Sequence, residues 1–282
     1  MPYPVRFGIQ TPQQNSNAWP DMLSMWQEVE QLGFDTAWVF DHFLPIFSDP
    51  TGPCMEGWTS LAALAMATSQ IRLGVMVSGN TYRNPGVLAK IATTVDIISR
   101  GRLILGMGGG WFAREHAAFG IPFPGIGERL GRLEESLSVI KQLWSQDTTS
   151  YTGRYYQLDD APFLPKPVQQ PHPPILVGAS GERVALGIVA RHADMWNSFG
   201  PPALFRHKIA KLAEHCQRIG RDPDTIEKSV LVTGMFAPDK AHGQVADYVD
   251  AGVTHIIFSV EAEQDREAIR AFARDVMPAF RT

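Results

Sequence analysis

The sequence predicts an α/β fold, a closed (β/α)8 barrel with an insertion before its fifth strand, forming one domain over residues 1–282. Three observations lead there. Short apolar runs alternate with helical patterns along the chain, the mark of βαβ units and a parallel sheet. The alternation reaches eight strand–helix pairs with no change of composition, which favours a closed barrel over a doubly wound sheet. The chain has 282 residues, 44% hydrophobic and 19% charged, enough for one large core of the size such barrels need.

The elements follow in order. Val5 to Gln10 is the first apolar run. Trp19 to Leu32 is a helix with Met22, Trp26, Val29 and Leu32 on one face and Gly33 as its stop. Thr36 to Phe40 is the second strand, and Gly57 to Thr68 is rich in small helix formers. Ile71 to Val77 is the third strand. Asn84-Pro85 reads as an N-cap followed by Pro at the first helical position. That helix aligns Leu88, Ile91, Val95 and Ile98, and Gly101 closes it. Leu103 to Met107 is the fourth strand. After a longer connection, Leu130, Leu133, Leu137, Ile140 and Trp144 recur at helical spacing. Residues 145–174 break the rhythm with six prolines and a hairpin signal around Thr152-Gly153-Arg154. The alternation then resumes, so this segment is an insertion and not a linker. Ile175 to Val177, Ala193 to Trp196, Val230 to Phe236 and His255 to Val260 are strands five to eight. Helices fall at Glu182 to Arg191, at Phe205 to Ile219, around Val245 and Val249, and from Ile269 to Phe280.

Composition narrows the function. The net charge is −4 and no Lys/Arg run occurs, which argues against nucleic acid or an anionic membrane surface as partner. Cys54 and Cys216 lie far apart without metal-like spacing, which fits a reducing compartment and disfavours zinc or a disulfide framework. His116, His172 and the other histidines also lack ligand spacing, so no metal is expected. There is no signal-peptide pattern and no spanning apolar run, and a cytoplasmic location is expected.

Barrel enzymes build their sites from the loops after the strands. Asp41-His42 follows strand two. Ser78-Gly79-Asn80 follows strand three, with Arg83 nearby. Gly108-Gly109-Gly110-Trp111 follows strand four, Gly178-Ala179-Ser180-Gly181 follows strand five, and Asn197 follows strand six. Both glycine runs expose backbone N–H groups, and Ser180 could cap the next helix, so together they suggest phosphate binding. Each run alone reads equally well as a tight turn. His42 at a strand end suits a general acid or ring donor, with Asp41 orienting it, while the bland alternative is that both cap a loop. Arg83 reads first as half of a surface ion pair. Trp111 and Trp196 read as partly core, or as walls for a flat ring. No nucleophile motif appears.

Taken together, Gly79-Asn80-Thr81-Tyr82-Arg83-Asn84-Pro85, Ser99-Arg100-Gly101-Arg102, Leu105-Gly106-Met107-Gly108-Gly109-Gly110-Trp111, Gly153-Arg154-Tyr155-Tyr156 and Ala193-Asp194-Met195-Trp196-Asn197 resemble the luciferase-like monooxygenase family. Within it they most resemble the oxidoreductases that use the deazaflavin F420. The resemblance spans nearly the whole chain. It implies a barrel, often homodimeric, with the cofactor ring at the mouth in contact with Asp41 and His42. It implies a non-proline cis peptide near Met76, Val77 and Ser78 behind the ring. It also implies that Gly108, Gly109 and Gly110, with Gly178, Ala179, Ser180 and Gly181, hold the phosphate-bearing chain. Asn80 and Trp196 complete the expected cofactor set, and His42 is the expected catalytic residue. Sugar-phosphate dehydrogenases of this type carry an acidic residue where Trp111 stands, so that activity is not assigned. Glu115 is the candidate substitute, and Trp111 points to a partly apolar small-molecule substrate. The expected reaction is hydride transfer between F420 and that substrate. The alternatives are an FMN-dependent monooxygenase fed by a reductase, and a flavin-binding barrel without turnover.

Overall fold

The computed structural model describes residues 3–15, 19–46, 48–260 and 266–281. Strand β1 (Arg6–Gln10) leads through α1 (Trp19–Gln31) to β2 (Thr36–Val39), then to α2 (Gly57–Ala67) and β3 (Arg72–Val75). Two extended residues, β4 (Ser78–Gly79), precede α3 (Pro85–Ile98) and β5 (Leu103–Gly108). A short α4 (Ala113–Ala118) comes before the long α5 (Ile126–Ser145) and the hairpin β6 (Thr148–Thr152) and β7 (Gln157–Pro162). The remainder is β8 (Ile175–Gly178), α6 (Ala185–His192), β9 (Met195–Ser198), α7 (Pro202–Arg218), β10 (Glu227–Thr233), α8 (Ala241–Asp250), β11 (His255–Ser259) and α9 (Arg266–Asp275).

The strands pair in parallel in the order β3-β2-β1-β11-β10-β9-β8-β5, and β5 returns to β3 through Leu73↔Leu103 and Gly74↔Ile104. The ring is therefore closed. β4 pairs with the same β5, Ser78 opposite Met107, so β3 and β4 are two parts of one barrel strand. Between them the Met76–Val77 peptide is cis, at the place the resemblance implied. The insertion is an antiparallel hairpin outside the barrel. It is pinned to α5, where the Glu135 carboxylate accepts from the Arg154 and Tyr155 amides at 2.9 Å each.

Alternation along each strand sets the two sides of the wall. Trp38, Met76, Ile104, Leu176, Met195 and Ile257 form a cluster of their own inside the ring. The larger core lies between strands and helices, with Val39, Leu105, Val177 and Phe258 facing Leu88, Leu137, Leu186 and Phe272. Local signals account for the helices. The Asn84 side chain accepts from the Gly86 N–H at 2.8 Å, and Gly101 leaves α3 at φ +82.

Several boundaries differ from the sequence reading, among them strand six, which runs from Met195 to Ser198 and not from Ala193 to Trp196. Strand seven runs from Glu227 to Thr233, not from Val230 to Phe236. Its buried, charged start is paired with Arg6 of β1, two strands away across β11, and Gly234 at φ +69 ends it. Helix α6 begins at Ala185 instead of Glu182. The last helix stops at Asp275 and a 3-10 turn, Met277–Phe280, follows.

One side chain fastens this wall. Arg102 donates to the carbonyls of Ser99 and Ile71 at 2.8 Å, Ala65 at 2.7 Å and Thr68 at 3.0 Å. It thereby joins the end of α2, the start of β3 and the end of α3. Arg102→Ala leaves those carbonyls without a donor and is expected to lower stability by about 2–4 kcal/mol, read as a shifted urea midpoint. An unchanged midpoint would show that the clamp contributes nothing.

Candidate active site

The carboxyl ends of β2, β4, β5, β8 and β9 converge on one mouth. His42, just beyond β2, is 8% exposed. Its Nδ1 lies 2.8 Å from Oε1 of Glu115, a fully buried residue in the first turn of α4. Glu115 Oε1 also accepts from the Tyr82 hydroxyl, while Oε2 accepts from the Phe43 amide and, at 3.3 Å, from the Leu44 amide. Burial works to raise the Glu115 carboxyl. The hydrogen bonds from His42, Tyr82 and Phe43 outweigh it and hold the group below the usual carboxylate range. The candidate substitute acid is thus not at the mouth. It sits behind the histidine.

Asp41 does not orient His42. It is 1% exposed, and its Oδ2 takes Arg83 Nη1 at 2.6 Å. The same guanidinium reaches Glu56 Oε1 at 2.6 Å, so Arg83 belongs to an inward ion-pair network and not to a surface pair. Oδ1 of Asp41 is buried without a hydrogen-bond partner, as is Oδ1 of Asn80. Gln13 escaped the sequence reading. Its amide mimics a strand, donating to the Phe40 carbonyl at 2.6 Å and accepting from the Phe40 N–H at 3.2 Å. No local pattern marks it, because β2 supplies its partner.

The glycines have a packing reason of their own. A Cβ on Gly108 would stand 2.8 Å from Cγ2 of Val77, and one on Gly178 would stand 3.1 Å from it. These two positions, on neighbouring β5 and β8, leave the space that the Val77 side chain fills beyond the cis bond. Ser78 is fully buried and accepts from Trp58 Nε1 at 2.8 Å. Gly110, at φ +73, turns the chain toward α4, and Gly109 lies beside it. Ser180 does not cap α6, whose first turn has no side-chain cap. Its hydroxyl lies 3.1 Å from that of Ser198, which in turn receives Lys208 Nζ at 3.4 Å. A groove of about 580 Å³ opens here, lined by Leu130, Ser180, Gly181 and the uncapped residues up to Ala185. Ala179 directly precedes Ser180 in the chain, its amide bonded to the Asn197 carbonyl at 3.0 Å.

The two tryptophans part ways. Trp196 is fully buried, donates to the Ala179 carbonyl at 2.9 Å and packs on Phe205 of α7. It lies between wall and helix, so it cannot wall a ring in the mouth. Trp111 is not core. It is 55% exposed and meets the His42 ring edge-on at 5.5 Å. Phe112 meets the same ring at 5.7 Å. Phe119 and Phe199 are also exposed in loops at this end.

Such a constellation defines the class first: a parallel (β/α)8 barrel with titratable and aromatic groups gathered at the carboxyl ends of its strands. The chain belongs to the luciferase-like monooxygenase family, whose profile matches residues 4–277. It is 27% identical to an F420-dependent glucose-6-phosphate dehydrogenase of Amycolatopsis mediterranei, over 93% of this chain and 94% of that protein. It is 34% identical to an F420-dependent hydroxymycolic acid dehydrogenase of Mycobacterium tuberculosis, over 78% of this chain and 60% of that one. A solved F420-dependent secondary alcohol dehydrogenase, in complex with an F420–acetone adduct, shares the fold with a TM-score of 0.88 at 20% identity. That match covers 99% of this chain and 100% of the other.

Asp41 carries a pH signature. Burial, opposed by the Arg83 charge, pushes its carboxyl from an ordinary 3.8 up to about 6. A folded value above the unfolded one means that its contribution to stability is full below about pH 3.8 and lost as pH rises through 6. Infrared difference spectra are expected to show a protonated-carboxyl band that fades near pH 6 and is missing in Asp41→Asn. Complete loss of the band by pH 4 would contradict this assignment.

Proposed function

We propose that this protein transfers a hydride between F420 and a small organic substrate at the barrel mouth. The observation that carries the reading is His42, held by Nδ1 at the end of β2, with Val77 and the α6 groove on the same rim. The F420-dependent names of its relatives support the choice of cofactor. When bound, the deazaflavin supplies a carrier that accepts or gives a hydride.

The residues present fit that cofactor. Val77, in the space left by Gly108 and Gly178, offers an apolar surface for one face of a flat ring, with Met76 and Ser78 fixing the bulge. The orphaned oxygens of Asp41 and Asn80 are acceptors for ring or side-chain donors. The phosphate-bearing chain belongs in the groove at the head of α6, where Gly178, Ala179, Ser180 and Gly181 lead into uncapped amides. Gly109 and Gly110 bound it on the β5 side. His42 moves the proton that accompanies hydride transfer. Trp111, Phe119 and Phe199 suit a substrate that is apolar in part. The homodimer stays within the proposal, since α2 and α3 expose Met66 and Val87, apolar surface that a second copy would cover.

The family also contains monooxygenases, so FMN with oxygen is the second reading. Parallel fluorescence titrations separate them. Micromolar or tighter binding of F420 with weak FMN binding is expected. Preference for FMN with oxygen uptake would overturn the proposal. His42→Ala is expected to keep F420 affinity within a few-fold. It should slow turnover of the first substrate found in a screen of alcohols, aldehydes and enones by about 10²–10⁴-fold.

A further inference from the structure

We propose that Glu115 is a positioning residue for His42, holding the imidazole with its proton on Nδ1 and leaving Nε2 to exchange a proton with substrate. The inference rests on the reading of the mouth as the active site. Its geometric basis stands apart from the identity of the cofactor.

Glu115 is wholly buried yet answered by four donors: Nδ1 of His42, the Tyr82 hydroxyl and the amides of Phe43 and Leu44. An ionised carboxylate only accepts hydrogen bonds. The His42 nitrogen that touches it must therefore be the protonated one. In the neutral ring the lone pair is then on Nε2. The edge contacts from Trp111 and Phe112 limit rotation of the imidazole about this bond. A carboxylate behind a histidine fixes its tautomer and favours the imidazolium that forms when the other nitrogen takes a proton.

The proton balance is simple. In oxidation one proton leaves the substrate hydroxyl and ends on Nε2 as the ring becomes imidazolium. The accompanying hydride is the cofactor's share of the reaction. In reduction the same proton returns from Nε2. Glu115 keeps its charge throughout.

A purely structural role would need less. The two amides on Oε2 already tie the loop after β2 to α4. Oε1 is the atom aimed at the ring and at Tyr82, and its bond to Nδ1 is the one that selects the tautomer.

Glu115→Gln separates the two roles. Glutamine has one acceptor oxygen and one donor nitrogen. The Phe43 and Leu44 amides demand the oxygen, so the NH2 group must face His42. Nδ1 then has to accept, and the ring proton moves to Nε2. The test is ¹⁵N NMR at pH 8 on histidine-labelled protein without cofactor, with the His42 signals assigned by their loss in His42→Ala. Wild type is expected to show the Nδ1–H form and Glu115→Gln the Nε2–H form. In turnover, kcat of the variant is expected to fall about 10²–10⁴-fold with KM and F420 affinity changed less than a few-fold. An Nε2–H ring in the wild type would overturn the proposal, and that result needs no variant to fold. An unchanged tautomer in Glu115→Gln, or a flipped tautomer with full kcat, would also overturn it. Failure to bind F420 would sink the proposed cofactor and leave the tautomer result standing.

Discussion

A carboxylate removed from water must be met by donors, and at Glu115 that requirement organises the whole mouth. Its partners come from the loop after β2 and from Tyr82 beyond β4, while the carboxylate itself arrives on α4. Three stretches of chain are thus brought to one point. Each would be free to place its side chains elsewhere without this charge. His42 gains its orientation from the arrangement. Phe43 and Leu44 spend their amides on Oε2 of Glu115. A second ion-pair network, Arg83 with Asp41 and Glu56, fixes the same rim from the α2 side.

The shape of the mouth comes from absent side chains. Gly108 and Gly178 lie further along the inward faces of their own strands, β5 and β8, above Ile104 and Leu176, which fill the ring lower down. The space they leave is taken by one residue, Val77, delivered by the break between β3 and β4. Packing density explains why both positions are glycine, since a methyl group at either would press on the same valine. The glycine runs therefore serve the wall first. Any phosphate contact made by their amides is added to that role.

Much of the fold was legible because strand cores are apolar and helix faces repeat. The start of β10, strand seven of the sequence reading, is not legible in the sequence because Glu227 and Lys228 resemble loop residues, and the Arg6 partner lies 221 positions away. The direction of Trp196 could have been read from alternation. Met195 joins the inner cluster, so its neighbour must point to the helices. Asp41 and His42 were found by their place after a strand, but their partners were not. Glu115 is 73 residues from His42 and Arg83 is 42 from Asp41, separations that no local pattern encodes. Ser180 was read as a cap because strand, glycine and serine usually lead straight into a helix. Here three more residues intervene, and the hydroxyl turns to Ser198 instead.

We propose that the ring of a deazaflavin lies in this mouth between Val77 and His42, its phosphate at the head of α6. A crystal structure of the protein grown with F420 under reducing conditions tests it most directly. The ring is expected against the Val77 side chain, with Nε2 of His42 turned toward the reacting face and the phosphate against the amides of residues 181–185. F420 seated elsewhere, or a mouth that stays free of it at concentrations where binding is measured in solution, would overturn this placement.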